Sequence, residues 1–190
     1  VVHRGGRSRL LLRGQAPAAG VESATLAQLP PLPDTGVELR AIAASLQADP
    51  RKDVFLRREA TERRVHEMDR ARELVRRRVV MFATHGLVPG DIDGLTQPAL
   101  ALTSPAAVPE AGDGLLTMDE VLGLRLDADW VVLSACNTAA GEGAGAEALS
   151  GLGRAFFYAG ARALLVSDWP VETTSARQLM TGMFAQLAAD

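Results

Sequence analysis

A chain of 190 residues, 47% hydrophobic and 23% charged, has the composition of a soluble globular protein and is long enough to bury a substantial core in one domain. The formal net charge of −3 argues against a general nucleic-acid or anionic-membrane binder, and a lone cysteine, Cys136, excludes a disulfide framework within the chain. No apolar run approaches the ~18 residues of a membrane span, and "RLLLRG" is too short for a signal-peptide core, so a cytoplasmic location is expected.

The chain starts at Val1 and stops at Asp190 inside an amphipathic helical pattern, and it reads as a piece of a longer polypeptide. Residues 1–36 form a lead-in rich in Pro, Gly and Ala, with "RLLLR" as a candidate first strand. The stretch "GVELRAIAASL" places Leu39, Ile42, Ala43 and Leu46 on one helical face. "DVFLR" has the residues of a short strand, and "ATERRVHEMDRARELVRR" those of a charged helix. "VVMFATHG" is a continuous apolar run stopped by glycine, the signature of a buried parallel strand. A long excursion follows, with a strand-like "ALALTS". Thr117 and Glu120 then match the S/T-x-x-E capping box that starts a helix. "DWVVLSA" is the next buried strand. In "GAEALSGLGRAFFYAGA" the residues Leu149, Leu152, Phe156 and Phe157 read as an apolar stripe, with Tyr158 as core or pocket wall. "RALLVSD" is a further strand, and Leu179, Met180, Met183, Phe184 and Leu187 mark a last amphipathic helix.

Strands alternating with helices predict a mostly parallel sheet covered on both faces, with the C-terminal strand ends gathered on one edge. Open α/β sheets place their ligands at that edge. Thr84 and His85 end one strand there, Ala135 and Cys136 a second, Ser167 and Asp168 a third. A thiol attacks a carbonyl as the thiolate, and an adjacent imidazole supplies the base and later the acid. His85 and Cys136 thus form a candidate dyad. The N–H groups of Gly86 and Cys136 are candidate donors to the oxyanion that acyl transfer creates.

These residues also carry a family resemblance. "FATHG", followed by "LSACNTAAGEGAGAEALSGLGRAFFYAGARALLVSDWPV", resembles the CHAT domain family, caspase-like cysteine peptidase domains often joined to tetratricopeptide repeats. "LPPLPDTGVELRAIAA" and "GLTQPALALT" are similar to that family as well. The resemblance implies a caspase-like three-layer α/β sandwich over 37–190, completed by a further strand beyond the C-terminus. It implies a cysteine endopeptidase acting on protein or peptide substrates, with His85 and Cys136 as the dyad and Gly86 in the oxyanion hole. It also implies repeats elsewhere in the same longer chain. Cys136 follows His85 by 136 − 85 = 51 residues, the order and spacing of caspases, although "SACNT" replaces the caspase "QACRG". Asp168, Trp169 and Glu142 are the candidate substrate-pocket residues, Asp168 favouring a basic residue before the scissile bond. No metal or organic cofactor is required.

Two other readings compete. One is a catalytically silent caspase-like scaffold. The other is a dinucleotide-binding domain, because "GAGAEA" matches G-x-G-x-x-A and Asp168 follows at a strand end, yet six residues separate Cys136 from Gly143 where a tight phosphate turn is needed. The nine arginines between Arg57 and Arg78 interleave with acids and read as a solvated face carrying His66 rather than a nucleic-acid surface. No second histidine or cysteine stands near enough in sequence to suggest zinc.

Overall fold

The computed structural model describes residues 23–134, 144–166, 178, 182–184 and 186. Helix α1 (Ser23–Ala27) and helix α2 (Thr35–Ser45) are followed by a 3-10 turn at Arg57–Glu59, helix α3 (Glu62–Arg70) and a second 3-10 turn at Leu74–Arg76. Strands β1 (Val79–Ala83), β2 (Gly86–Leu87), β3 (Ala99–Ala101) and β4 (Leu115–Thr117) come next. Helix α4 (Met118–Gly123), strand β5 (Trp130–Ser134), helix α5 (Ala144–Ala159) and strand β6 (Ala163–Val166) follow. Residues 178, 182–184 and 186 are helical.

Two sheets result. The first is parallel, in the order β1-β5-β6, with Ala83 beside Ser134 and Leu133 beside Val166. The second is a small antiparallel sheet in the order β2-β3-β4. The period-2 alternation of strands explains the layers. Val131 and Leu133 of β5 face one way, onto Leu152 and Phe156 of α5 and Val121 of α4. Val132 faces the other way, onto Ile42 of α2 and Phe184. The flanking strands obey the same parity, Val80 and Phe82 on the α5 side and Val79 and Met81 on the α2 side. This is an α/β, caspase-like three-layer arrangement, and the continuous apolar run of β5 is what a strand covered on both faces requires.

Several expectations are met and several are corrected. The α2 helix buries Ile42 and Ala43 as its periodicity predicts. The capping box is present in full: Thr117 accepts from the Glu120 N–H, and Glu120 accepts from the Thr117 N–H at 2.8 Å. "DVFLR" is not a strand; Arg57 sits at φ 51°, a left-handed turn that ends the extended stretch. The charged helix is interrupted, since α3 stops at Arg70 and Arg72 turns the chain at φ 59°. "VVMFA" is only half-buried, because β1 has a neighbour on one side alone among the described residues. The antiparallel sheet was not foreseen; its strands have two or three residues, too few to show a period. Phe157 is 49% and Tyr158 83% exposed, so neither belongs to the core. Their angular offset from the Leu152–Phe156 row turns them outward. "RLLLR" and the side chain of Leu149 lie outside the described residues.

Helix α5 ends on Gly160 at φ 114°, where the Ala161 N–H returns to the Phe156 carbonyl at 3.0 Å. A Cβ on Gly160 would stand 2.2 Å from the Leu126 carbonyl oxygen. The Gly160→Ala substitution is therefore expected to cost more than ~2 kcal/mol, from left-handed strain plus the clash, read as a lower denaturant midpoint at an unchanged slope.

Candidate active site

The parallel register gathers the C-terminal ends of β1, β5 and β6 on one edge. His85 stands two residues beyond Ala83, which pairs with Ser134, and Cys136 follows Ser134 by two positions in sequence. His85 is 7% exposed. Its Nε2 lies 2.8 Å from the carbonyl oxygen of Pro30. A carbonyl can only accept, so Nε2 carries the ring proton, and in the neutral imidazole Nδ1 is left as the acceptor. The position is further fixed from the β3 side: the Ala101 N–H donates to the His85 carbonyl at 2.9 Å, and the Thr84 hydroxyl donates to the Ala101 carbonyl. Pro30 was not singled out from the sequence, because a backbone acceptor leaves no mark in residue type.

Gly86 opens β2 opposite Leu100. The bond from the Ala101 N–H to the His85 carbonyl identifies Gly86–Leu100 as a non-hydrogen-bonded pair of the antiparallel ladder. In such a pair the Gly86 N–H points away from β3. Cys136, Glu142, Asp168 and Trp169 lie outside the described residues. A groove of about 870 Å³ runs along β1 and reaches Thr84 and His85 at one end, with Pro30, Leu32 and Phe55 on its walls.

A buried carboxylate stands at the same edge. Glu38, on the first turn of α2, is 6% exposed, and Ser134 Oγ donates to its Oε2 at 3.4 Å. Oε1 has no hydrogen-bond partner among the described residues. Burial pushes the Glu38 carboxyl above its ordinary 4.5, with the Ser134 hydrogen bond opposing. Nothing in the sequence marked it out, since a glutamate in a helical first turn is ordinarily solvated.

A second polar cluster lies on α3 and α4. His66 is not on a solvated face; its Nε2 stands 3.2 Å from Glu120 Oε1 and 3.6 Å from Glu62 Oε1. Glu62 Oε2 in turn accepts the Asp113 and Gly114 N–H groups at 2.8 and 3.3 Å. These three side chains are the residues that are spaced to hold a metal among those described, their ligand atoms lying within 4.8 Å of one another. Each is already engaged as another's ion-pair or capping partner. Hydrogen bonds from Glu120, then Glu62, raise the His66 pKa from 6.5 to about 9. Asp113 is raised to about 6, first by burial and then by Glu62. The His66 contribution to stability is thus complete below pH 6.5 and lost as pH rises through about 9. The expected result is a thermal midpoint that falls over this window in the parent and is flatter in His66→Gln.

Arg77 pairs with the partly buried Asp53 at 2.6 Å, and the arginine-rich segment otherwise forms surface ion pairs, Arg63 with Glu67 and Glu110 and Arg64 with Glu67. Pairs of this kind are worth little individually. Gly145, the second glycine of the dinucleotide pattern, lies inside helix α5; the segment 135–143 is outside the described residues.

A parallel sheet wrapped by helices on both faces, with a buried histidine closing the strand beside the one that leads to the thiol, is the class of caspase-like α/β proteins. The chain belongs to the CHAT domain family, whose profile matches residues 4–190. No curated protein and no solved structure matches the chain. Among the described residues no helix is long and apolar enough to cross a membrane.

Proposed function

We propose that this CHAT domain is a cysteine endopeptidase in which His85 and Cys136 act as a dyad. The observation that carries the reading is the protonated Nε2 of His85 on the Pro30 carbonyl, which leaves Nδ1 free to accept a proton. The register supports it, since His85 and Cys136 each stand two positions past a paired residue of adjacent parallel strands.

In this mechanism the Cys136 thiol gives its proton to His85 Nδ1, and the sulfur forms a bond to the scissile carbonyl carbon. The N–H groups of Gly86 and Cys136 hold the oxyanion. As the C–N bond breaks, the imidazolium returns its proton to the leaving amine. Water then adds to the thioester with His85 as base, and the thiolate leaves and is reprotonated. No redox partner or metal enters the balance. The peptidase unit is the stretch 37–190, which works in the cytoplasm on a protein or peptide substrate. Tetratricopeptide repeats elsewhere in the same longer chain would present that substrate. Trp169, Glu142 and Asp168 are kept as pocket residues.

A peptide-library cleavage profile on the full-length protein tests the reading, with the parent beside His85→Ala. Cleavage by the parent and a fall of at least about 10³-fold in kcat/KM for His85→Ala are expected. Cleavage that survives loss of the imidazole would exclude the dyad.

A further inference from the structure

The cluster of Glu62, His66 and Glu120 has a more specific geometry than ion pairing needs. Glu62 and His66 stand one turn apart on α3, at i and i+4, and Glu120 comes from α4, 54 positions beyond His66. Each carboxylate uses one oxygen to hold its place. Glu62 Oε2 accepts the Asp113 and Gly114 N–H groups, and Glu120 Oε2 accepts both the N–H and the hydroxyl of Thr117. The other oxygen of each converges on one point, with His66 Nε2 3.6 Å from Glu62 Oε1 and 3.2 Å from Glu120 Oε1. The seat of Glu62 is independently shaped by the loop 112–114. Gly112 has φ 99°, and a Cβ there would stand 2.1 Å from Glu62 Oε2. The loop therefore closes on the carboxylate in a way that glycine permits, and this fixes where Oε1 points.

One imidazole nitrogen and two carboxylate oxygens form a donor set suited to zinc, whereas calcium and magnesium take oxygen ligands. Zinc holds such donors at ~2.0–2.2 Å, which sets neighbouring corners of its tetrahedron ~3.4 Å apart. The two distances to Nε2 fall on either side of that value. The anchored Oε2 atoms supply the outer hydrogen bonds that ligating carboxylates require. Solvent reaches the site, since the His66 and Glu120 side chains are 31% and 30% exposed. We propose that Glu62 Oε1, His66 Nε2 and Glu120 Oε1 bind a zinc ion, with water as the fourth ligand. The two carboxylates balance the charge of the ion, and any proton on Nε2 leaves to solvent. Bound there, the ion fastens α3 and the loop 112–114 to α4. None of these residues belongs to the proposed dyad, so the assignment is independent of the peptidase reading. The lone histidine of this segment hid the site in the sequence, because its second and third ligands are acids and one of them is distant.

The test is calorimetric titration of zinc ion into the chelator-stripped full chain carrying Cys136→Ala, so that the thiol offers no rival ligand. Saturable binding is expected, weaker by at least about 10²-fold when His66→Gln, Glu62→Gln or Glu120→Gln is added. Glutamine keeps a carbonyl oxygen for the backbone donors, so the last two variants retain the loop and the cap. Glu67→Gln is the control, because this acid of the same helix pairs with Arg63 and Arg64 and should leave the affinity unchanged. Zinc should also raise the thermal midpoint of the parent and not that of Glu120→Gln. Cobalt(II) in place of zinc should show the visible bands of a four-coordinate ion, lost in His66→Gln. No zinc binding, or equal affinity in the parent and the three site variants, overturns the assignment. A six-coordinate cobalt spectrum, or displacement of zinc by calcium or magnesium at equal concentration, overturns it as well.

Discussion

Cys136→Ala is expected to lower peptide cleavage on the order of 10⁴- to 10⁶-fold while leaving the fold unchanged. The size follows from the role. Loss of a nucleophile removes the covalent route altogether, and what remains is oriented water and oxyanion stabilisation. Alanine keeps the small apolar volume of the residue, so the thermal midpoint should move little. The measurement is kcat/KM on the best library peptide, with a mild electrophile as a parallel probe of the thiol. A dyad cysteine is labelled fast well below the ordinary thiol pKa of ~8.5, because an imidazolium beside it holds the thiolate. An alanine variant that retains cleavage, or a parent thiol with a free-thiol labelling profile, would favour a silent scaffold.

The largest stability loss is expected from Phe156→Ala. Phe156 is fully buried on α5, with its ring 5.6 Å from that of Phe82 and tilted by 41°. It packs in the same cluster as Val121, Val131, Leu133 and Leu152, and so ties α4 and α5 to the parallel sheet. Removing a phenyl ring from such a site costs ~3–5 kcal/mol through lost transfer energy and the cavity left behind. At this chain length that corresponds to a fall in thermal midpoint of roughly 10 °C. Phe157→Ala is the natural control, since a neighbouring ring that is half exposed should change the midpoint far less. Equal losses in the two variants would contradict the observed facing of α5.

The pH dependence of stability contains opposing parts. Glu38 has a raised pKa, so its folded form binds the proton more readily, and its contribution is lost as pH rises from 4.5 through the raised value. Asp69 behaves oppositely. The Arg125 hydrogen bonds, one of them at 2.7 Å, hold its carboxyl below the ordinary 3.8, and its contribution is lost as pH falls.

The main elements were legible because they carry strong periods or strong punctuation. The α2 and α5 helices show apolar residues at helical spacing, β5 and β6 are unbroken apolar runs, and Thr117 with Glu120 spells out a helix start. Errors arose where a short segment offered only propensity. "DVFLR" has strand residues but no strand to pair with among the described residues, and β2, β3 and β4 take their structure from one another. Helical spacing puts Phe157 on the stripe of Leu149, Leu152 and Phe156, but it falls at the margin of that stripe, and the way α5 lies on the sheet buries Phe156 and leaves Phe157 half exposed.

The site divides in the same way. The sequence by itself determined the chemical types, a histidine and a glycine after one strand and a lone thiol after another, because reactive side chains stand out against apolar runs. It also determined that the strands of the main sheet, β1, β5 and β6, run parallel, since helices cross between them. Only the tertiary structure decided what holds the histidine and where a carboxyl is buried. The Pro30 carbonyl reaches His85 across 55 positions, and Glu38 reaches Ser134 across 96. Contacts at such separations depend on how α2 lies on the sheet, and neither a backbone carbonyl nor a single glutamate announces in one dimension which partner the fold will bring to it.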